Sequence, residues 1–460
     1  MTPQVPLASA SAAQRSEPTG EDPPKVAFYS LGCKVNQSEI DALQDEFSAS
    51  GFECVPFENL ADIYVINTCS VTHVGDAKSR QTIRRAARTN PNALIVATGC
   101  YATIAHEWLA GERVLVVRNR DKDQLLSIVR EHVLAGFGQD ELIESPAWLD
   151  TAQLPPTARA RATVKVQDGC DGICSYCIIP RARGRSVSLE PDQVLQRVRT
   201  LTSQGHAEVV ITGIDLGSYG ERRADRLDLA GLLSLVLDQT DVHRVRISSV
   251  EPGDFDLAWV SLWPNPRLCR HLHVPLQAGS DSVLARMRRK YDTNRFWQMV
   301  CACRDAIPGL AVTTDIITGF PGETDEEFAE GLDFIERCRF DGMHVFPYSV
   351  RSGTSAVRLE GHVSEPVKQH RASILREIAA TAKANHVSRN VGSTQEVVWE
   401  SERQGVWRGL TDNNVRVFGD GDGCRANAVQ RRTLSGIFGD GCWGESITPA
   451  KRLEIPLVAV

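Results

Sequence analysis

The sequence predicts an α/β protein with three folded units: an N-terminal α/β domain on a parallel sheet, a central partial βα barrel of the TIM type, and a small C-terminal all-β barrel. Apolar strand-like runs that alternate with helix-length stretches predict the first two units. From Thr394 onward, short β runs between Gly/Asp turns predict the third. We assign 1–24 to a disordered tail, 25–139 to the N-terminal domain, 140–160 to a linker, 161–390 to the central barrel and 391–460 to the C-terminal barrel.

Composition limits the class of protein. The chain has 460 residues and a net charge of -7, and no run approaches the ~18 apolar residues that a membrane span needs. Residues 1–24 lack the apolar core of a secretory signal, so we expect a cytoplasmic protein that does not bind a membrane. Thiols stay reduced in the cytoplasm, so 13 cysteines indicate metal binding or catalysis rather than disulfides.

Three predicted strands of the N-terminal domain finish at a cysteine. "KVAFYSLGC" ends at Cys33, "IYVINTC" at Cys69 and "NALIVATGC" at Cys100, while "RVLVV" predicts a fourth strand. Because the carboxyl ends of parallel strands share one edge of a sheet, we expect the three thiols to lie near one another. Each of them alone could equally be a buried core residue.

The central domain begins with a second group of cysteines. "DGCDGICSYCIIP" places Cys170, Cys174 and Cys177 in a C-x3-C-x2-C pattern after the strand "ATVKV". Three thiolates can hold three irons of a cubane cluster and leave the fourth iron open to a small molecule. A structural zinc site is the alternative, but it usually needs four ligands, and no fourth Cys or His lies nearby in the sequence.

With Tyr176 before its last cysteine, this motif resembles the signature of the radical S-adenosylmethionine (SAM) enzymes. The resemblance implies that SAM binds the open iron of a [4Fe-4S] cluster, that Tyr176 approaches its adenine, and that one electron cleaves SAM to a 5′-deoxyadenosyl radical. The strand ends in "ITGIDLGSYG", "RISSVEP" and "HVPLQAGSD" resemble SAM-contacting segments. They give as candidates Thr212, Gly213, Asp215, Ser249, Glu251 and Gln277. The alternative is that these polar residues only satisfy loop backbone groups.

The two cysteine groups together resemble the methylthiotransferases. This resemblance implies a second [4Fe-4S] cluster on Cys33, Cys69 and Cys100, and replacement of the C2 hydrogen of a modified adenosine 37 in tRNA by a methylthio group. "LGCKVNQSE" and "VFPYSVRSGT" resemble the threonylcarbamoyladenosine branch. The alternative substrates are isopentenyladenosine 37 and a ribosomal protein aspartate. The non-enzymatic alternative is an iron-sulfur protein that binds RNA without catalysis. The implied partners are the tRNA anticodon stem-loop, a sulfur donor and a reducing partner such as flavodoxin or ferredoxin.

Basic segments support an RNA partner. In "AKSRQTIRRAAR", Arg80, Arg84 and Arg88 are spaced to form one helical stripe, which is either an RNA-binding face or a solvated surface. Further candidates are Arg159, Arg161, Arg181, Arg183, Arg185 and the segment "RMRRK". The C-terminal "GLTDNNVRVFG" resembles the TRAM module, a small RNA-binding barrel. Three tryptophans could stack on bases or pack in the core of that barrel, namely Trp399, Trp407 and Trp443.

Overall fold

The computed structural model describes residues 23–109, 114–136, 160–421 and 423–446. Residues 1–22 of the proposed tail and residues 140–159 of the proposed linker lie outside this range. The described part confirms the predicted α/β fold class, with two parallel arrangements followed by a closed β-barrel. None of the helices in these ranges is long and apolar enough to cross a membrane.

The N-terminal unit is a five-stranded parallel sheet in the order β2-β1-β3-β4-β5. Its strands are β1 (Lys25–Ser30), β2 (Glu53–Val55), β3 (Ile63–Thr68), β4 (Leu94–Thr98) and β5 (Val114–Val116). Its helices are α1 (Lys34–Ala49), α2 (His73–Thr89), α3 (Gly99–Ile104), α4 (His106–Leu109) and α5 (Leu125–Gly136). Helix α1 buries Ile40, Leu43 and Phe47, which recur at helical spacing and therefore pack on one face of the sheet. The sequence did not predict β2, because Glu53–Val55 does not form an apolar run as β5 does.

The central unit is an open arrangement of six parallel strands. Its strands are β6 (Arg161–Lys165), β9 (Glu208–Thr212), β10 (Arg244–Ile247), β11 (His271–His273), β12 (Ala311–Thr318) and β13 (Gly342–Pro347), and a small antiparallel pair is β7 (Gln167–Asp168) and β8 (Val187–Ser188). The six strands form two three-stranded sheets, β6-β9-β10 and β11-β12-β13. Single bridges at Val245–Leu268 and Ser249–His273 join β10 to the segment leading through β11. The result is a partial barrel, as the sequence predicted.

Helices cover the outside of this barrel and bury its large apolar core. The helices of this unit are α6 (Ile179–Arg183), α7 (Pro191–Ser203), α8 (Leu229–Gln239), α9 (Asp281–Arg286), α10 (Thr293–Ala306), α11 (Asp325–Cys338) and α12 (Glu365–Asn390), of which α6 contacts α3 of the N-terminal unit. Alternate residues of β12 point in opposite directions, so that Thr314 and Ile316 are buried while Asp315 faces the more open interior. The interior of the barrel is therefore lined by the residues that the helices do not cover.

The C-terminal unit is a closed barrel in the order β14-β15-β16-β18-β17. Its strands are β14 (Thr394–Arg403), β15 (Val406–Thr411), β16 (Arg416–Gly419), β17 (Val429–Phe438) and β18 (Gly441–Ser446). It is fixed to the central unit by Arg244 and Arg246 of β10. Arg244 Nη2 donates to the carbonyl of Leu410 at 2.9 Å, and Arg246 Nη2 to that of Thr411 at 2.9 Å.

Candidate active site

The three N-terminal thiols lie together beyond the carboxyl ends of β1, β3 and β4. Cys33 is the residue before α1, Cys69 follows β3, and Cys100 lies in the first turn of α3. Burial raises the pKa of Cys69 to about 11, and the nearby Cys100 and Cys33 thiols act in the same direction. A backbone hydrogen bond to the sulfur opposes this shift. Gly32 has φ +92°, and a Cβ there would lie only 2.6 Å from Cys69 Sγ, so this approach requires glycine. We refer to these three residues as the auxiliary thiols.

The three central thiols share one irregular loop after β7. The Gly172 amide donates to Cys170 Sγ at 3.1 Å, and a Cβ on Gly172 would lie 2.9 Å from Cys170 Sγ and 3.9 Å from Cys174 Sγ. Burial raises the pKa of Cys177 to about 12, and the nearby Cys174 contributes in the same direction. Gly172 therefore leaves space between the Cys170 and Cys174 thiols of this loop. We refer to them as the central thiols.

The two groups face each other across the contact between α3 and α6. The Cys100 charge raises the pKa of Cys177, although less than burial does, so the thiols of the two groups are close enough to interact. Asn119 bridges the same contact, because its Nδ2 donates to the carbonyl of Ala182 at 2.9 Å and lies 3.9 Å from Cys100 Sγ. The two thiol groups therefore lie close together at one junction between the N-terminal and central units.

Five buried or half-buried charges lie behind this contact: Glu39, Lys122, Lys165, Asp168 and Arg183. Glu39 accepts from Lys122 Nζ at 2.5 Å, from Lys165 Nζ at 3.1 Å and from Arg183 Nη1 at 2.8 Å. Arg183 Nη1 also donates to Asp168 Oδ1 at 2.8 Å. Three cations against two carboxylates leave one positive charge in this buried cluster.

That surplus charge lies beside the auxiliary thiols. Burial raises the pKa of the Cys33 thiol. Among the effects that lower this pKa, the positive charge of Arg183 is the largest. A nearby cation stabilises thiolates, which are the form that binds iron. The donor set and the charge around it therefore fit an iron-sulfur cluster at the auxiliary thiols. The space beside Gly172 and the three-thiol donor set fit a second cluster at the central thiols.

Several SAM candidates lie at the central thiols. Cys170 Sγ donates to Asp215 Oδ2 at 3.2 Å. Asp254, which sequence reasoning missed, lies against Asp215, and burial followed by this neighbour raises the pKa of Asp254 to about 6. Two carboxylates beside the loop form an acidic site that suits an ammonium group such as that of SAM.

Arg289 connects two other candidates, Tyr176 and Glu251. Its Nη1 donates to Cys174 Sγ at 3.0 Å and to the Tyr176 hydroxyl at 3.4 Å, and its Nη2 pairs with Glu251. Arg289 belongs to the basic run "RMRRK", for which the sequence suggested an RNA contact. That interpretation is wrong for Arg289, because its side chain is buried at the central thiols.

The other SAM candidates lie at strand ends around the same opening. Thr212 is the buried last residue of β9 and its carbonyl accepts from Val166 N at 2.9 Å. Gly213 follows it, and a Cβ there would lie 2.8 Å from Gln167 Oε1. Ser249 bridges to His273, and Gln277, at φ +67°, bridges to Ile316. The structure thus gathers all six candidates and Tyr176 at the carboxyl-end side of the barrel.

A further charged group lines the barrel interior. Asp315 Oδ1 lies 3.1 Å from His344 Nδ1, and Asp315 Oδ2 lies 3.3 Å from His273 Nε2. Burial favours the neutral acid, but the hydrogen bonds to both imidazoles hold the pKa of Asp315 below its usual range. Lys34, the solvent-exposed first residue of α1, has its pKa lowered to about 8 by the surrounding protein atoms and then by the charges of Arg161 and Arg246, whereas Asp315 acts in the opposite direction. Sequence reasoning singled out none of these four residues, because their neighbours come from distant strands.

The RNA candidates divide into exposed and buried residues. Arg80, Arg84 and Arg88 are all exposed along α2, as their spacing predicts, and Arg80 Nη1 donates to the Tyr101 hydroxyl at 3.0 Å. Arg183 was also a candidate RNA contact, and this is wrong because its side chain has no exposed surface.

The tryptophans of the C-terminal barrel differ in how deeply they are buried. Trp399 is fully buried in the core of this barrel, and its Nε1 donates to Gln430 Oε1 at 2.8 Å. Trp443 is half-buried and packs against Phe438 with ring centroids 5.2 Å apart. Trp399 therefore serves the core, which is the alternative that the sequence left open beside base stacking.

Comparison with known proteins places this chain in a family. A model of the radical SAM superfamily matches residues 164–335, and a model described as uncharacterized protein family UPF0004 matches residues 25–117. The threonylcarbamoyladenosine tRNA methylthiotransferase MtaB of Bacillus subtilis is 41% identical over 404 residues, which cover 85% of this chain and 89% of the relative. The chain belongs to the radical SAM methylthiotransferase family.

Two more comparisons concern a second relative and a solved structure. A tRNA-2-methylthio-N(6)-dimethylallyladenosine synthase of Pelotomaculum thermopropionicum is 31% identical over 432 residues, which cover 90% of this chain and 95% of the relative. The radical SAM methyltransferase TsrM of Kitasatospora setae, solved with cobalamin and a [4Fe-4S] cluster, superposes with a TM-score of 0.51 at 15% identity over 73% of this chain and 77% of that one. The second similarity concerns the fold alone. Both thiol-bearing units of the chain thus lie within the matched ranges of the family.

Proposed function

We propose that this family member is a tRNA methylthiotransferase that installs a methylthio group at C2 of N6-threonylcarbamoyladenosine 37. One observation carries the proposal: two groups of three thiols, on separate domains, face each other across one contact between α3 and α6. The name of the 41% identical Bacillus subtilis relative supports the threonylcarbamoyl substrate over the dimethylallyl one, whose named relative is 31% identical. The substrate is an anticodon stem-loop, and the place of action is the cytoplasm.

The cofactors of the family are two [4Fe-4S] clusters and SAM. We assign the auxiliary cluster to Cys33, Cys69 and Cys100, and the cluster that binds SAM to Cys170, Cys174 and Cys177. When bound, the reduced cluster and SAM supply a radical able to remove a hydrogen atom from an unactivated C–H bond such as that at C2. A reducing partner, such as flavodoxin or ferredoxin, and a sulfur donor belong to the same proposal.

The side chains around the central thiols have distinct tasks in this scheme. Arg289 orients Tyr176 and Cys174 by donating to both, and Glu251 holds its guanidinium in place. Asp215 accepts the thiol proton of Cys170, and once this proton has left, the carboxylate is available to an ammonium group. Thr212, Gly213, Ser249 and Gln277 line the opening in which the rest of SAM would lie.

The RNA would bind on the exposed basic face of α2 and on the C-terminal barrel, which resembles the TRAM module. Helix α2 begins shortly after Cys69 and is therefore anchored close to the auxiliary thiols. Arg80, Arg84 and Arg88 present three charges along one side of it, which suits the spaced phosphates of an RNA backbone. Phosphate contacts of this kind would position the loop without reading its sequence.

The test is nucleoside mass spectrometry of total tRNA from cells with and without the gene. We expect the methylthio adduct of threonylcarbamoyladenosine to disappear on deletion and to return with the wild-type gene, but not with a Cys33→Ala gene. If that nucleoside persists in the deletion strain, the proposed substrate is wrong. Loss of the adduct of isopentenyladenosine, or of a modified ribosomal aspartate, would then identify the substrate.

A further inference from the structure

Three side chains that can ligate a metal meet on the interior of the central barrel, and the proposed function does not use them. They come from neighbouring parallel strands, with His273 at the end of β11, Asp315 in β12 and His344 in β13. Asp315 and His344 are direct partners in the register of their strands. One potential ligand atom from each of the three residues lies within 4.8 Å of the others. Strands hold side chains more precisely than loops do, so the group is preorganised.

The separations between these atoms match those between the ligands of one metal ion. Asp315 Oδ2 lies 3.3 Å from His273 Nε2, and Asp315 Oδ1 lies 3.1 Å from His344 Nδ1. Ligand atoms that are each about 2.0–2.2 Å from a common ion lie roughly 3.0–3.4 Å from one another. Two of the three pairs therefore have the required spacing. The His344 side chain is 71% exposed, which gives it room to rotate and complete the third pair.

His273 also has the outer contact that is typical of a metal-binding imidazole. Its Nδ1 lies 2.9 Å from Oγ1 of Thr313, its partner in the strand register. The same hydroxyl lies 2.9 Å from His271 Nε2, so it can accept the Nδ1 proton of His273 and donate its own proton to His271. His273 then keeps the Nε2 lone pair that faces Asp315. A hydrogen bond at the second nitrogen orients almost every histidine that binds a metal.

We propose that His273, Asp315 and His344 bind a divalent transition-metal ion such as Zn²⁺. Two imidazoles select such an ion over Mg²⁺ or Ca²⁺, which prefer oxygen ligands. Three protein ligands leave at least one position open, as in metal sites that exchange a water. Because His344 is exposed, this position faces the open interior of the barrel, where water or an oxygen atom of a bound molecule completes the site.

The metal site lies beside two of the SAM candidates but differs from the cluster sites in its donor atoms. Ser249 is bridged to His273, and the Gln277 amide donates to the Asp315 carbonyl at 2.9 Å. Both clusters are assigned to sulfur ligands, whereas this site offers only nitrogen and oxygen. The two kinds of site can therefore be told apart by the atoms that surround the metal, whatever the substrate of the enzyme is.

The test measures zinc binding to the reconstituted full chain that carries both clusters. A chelator first removes loosely held metal, and Zn²⁺ is then added without oxygen. We expect about one Zn²⁺ per chain in addition to the cluster iron, with the iron content unchanged. Zinc X-ray absorption should show nitrogen and oxygen ligands at about 2.0–2.2 Å and no sulfur at about 2.3 Å.

Variants separate the ligands from the residue that supports them. Thr313→Val removes only the outer hydrogen bond, so we expect zinc to bind about 10- to 100-fold more weakly. Asp315→Asn and His344→Ala each remove a ligand and should weaken zinc binding by more than Thr313→Val does. His370→Ala is the matched control, since His370 is an exposed histidine of α12, and it should bind zinc as wild type does.

Several outcomes would overturn the inference. Failure of the wild-type chain to bind zinc at micromolar free concentration would remove the site. Sulfur in the zinc spectrum would assign the metal to the thiols instead. Unchanged affinity in both Asp315→Asn and His344→Ala, at full cluster iron, would show that the zinc lies elsewhere. If a variant loses cluster iron, the spectrum of the wild-type chain decides alone.

Discussion

Arg183 Nη1 donates to Glu39 Oε1 at 2.8 Å, which joins the helix that follows Cys177 to the helix that follows Cys33. The two residues are far apart in the chain, and each lies within six residues of a cysteine in one of the two thiol groups. Burial opposes the charge on Glu39, but Lys122, Arg183 and Lys165 together hold the pKa of this carboxyl well below its usual range. Glu39 therefore helps to fix the relative position of the two thiol groups, together with Asn119, which bonds across the same junction.

The charge count in this cluster predicts an order of stability among variants. Glu39→Gln leaves three cations against Asp168 alone, so we expect a loss of ~3–5 kcal/mol in the free energy of unfolding. Arg183→Met leaves two charges of each sign, so we expect a smaller loss of about 1–3 kcal/mol. Urea unfolding of the full chain measures both. The exposed Arg185→Met is the control, with a change of about 0.5 kcal/mol or less. The reverse order of Glu39→Gln and Arg183→Met would contradict this account.

The junction between β9, β10 and the C-terminal barrel predicts a specific acid sensitivity. Burial disfavours the charge on Glu208, but Arg246 and Arg244 outweigh it and lower the pKa to about 2. A lowered pKa stabilises the fold fully above the usual value of 4.5, and this stabilisation is lost as the pH falls from there toward 2. The shift corresponds to about 3 kcal/mol at neutral pH.

Glu208→Gln tests this assignment. We expect the variant to be less stable than wild type at pH 7 and to lose less stability than wild type between pH 5 and pH 3 (roughly the window set by the two pKa values). Urea unfolding of the cluster-free, reduced chain at several pH values measures both effects, since acid dissolves iron-sulfur clusters. Parallel acid dependence of the two proteins would show that another group controls this sensitivity.

The proposed cluster ligands predict a division of labour between the two thiol groups. We expect Cys33→Ala to lose about half of the iron and all methylthio transfer, but to keep the cleavage of SAM. Cys174→Ala should also lose about half of the iron, together with both activities. Cys301→Ala, on the outer helix α10, is the control and should retain everything. Iron analysis and liquid chromatography of 5′-deoxyadenosine are the measurements, and equal loss of SAM cleavage in Cys33→Ala and Cys174→Ala would contradict the division.

The basic face of α2 predicts a change in the salt dependence of RNA binding. Replacing Arg80, Arg84 and Arg88 by Gln should weaken the binding of stem-loops of different sequence to a similar degree. The slope of log K against log salt should decrease by about 1 for each phosphate that the variant no longer neutralises. Arg376→Gln on the exposed surface of α12 is the matched control. An unchanged slope in the triple variant would remove α2 from the RNA interface.

The sequence predicted those features that depend on local spacing. The C-x3-C-x2-C loop is recognisable because its three cysteines lie within eight residues, and Cys33, Cys69 and Cys100 are recognisable because each follows an apolar strand. The stripe on α2 follows from helical periodicity alone. Each of these patterns is present in a short window of sequence, and each was found at its expected place in the fold.

The rest of the site depends on contacts between distant segments. Nothing near Arg183 in the sequence indicates Glu39, which lies 144 residues away, so the sequence predicts an exposed basic run where the fold forms a buried ion pair. Arg289 was misread for the same reason, since its partners Tyr176 and Glu251 come from other parts of the chain. Charge is visible in a sequence, but burial of that charge is decided by the tertiary fold.

The open barrel also has consequences for the solubility of fragments. Strand β6 is at one end of the six-strand array, and Ser38 of α1 covers its outer side: Ser38 Oγ donates to the Thr163 carbonyl at 3.0 Å and accepts from Lys165 N at 3.1 Å. The N-terminal domain thereby satisfies backbone groups that would otherwise be a template for another strand. A fragment that begins at residue 160 would expose this edge, and we expect it to self-associate by strand addition. The N-terminal domain therefore protects the barrel from association as well as carrying the auxiliary thiols.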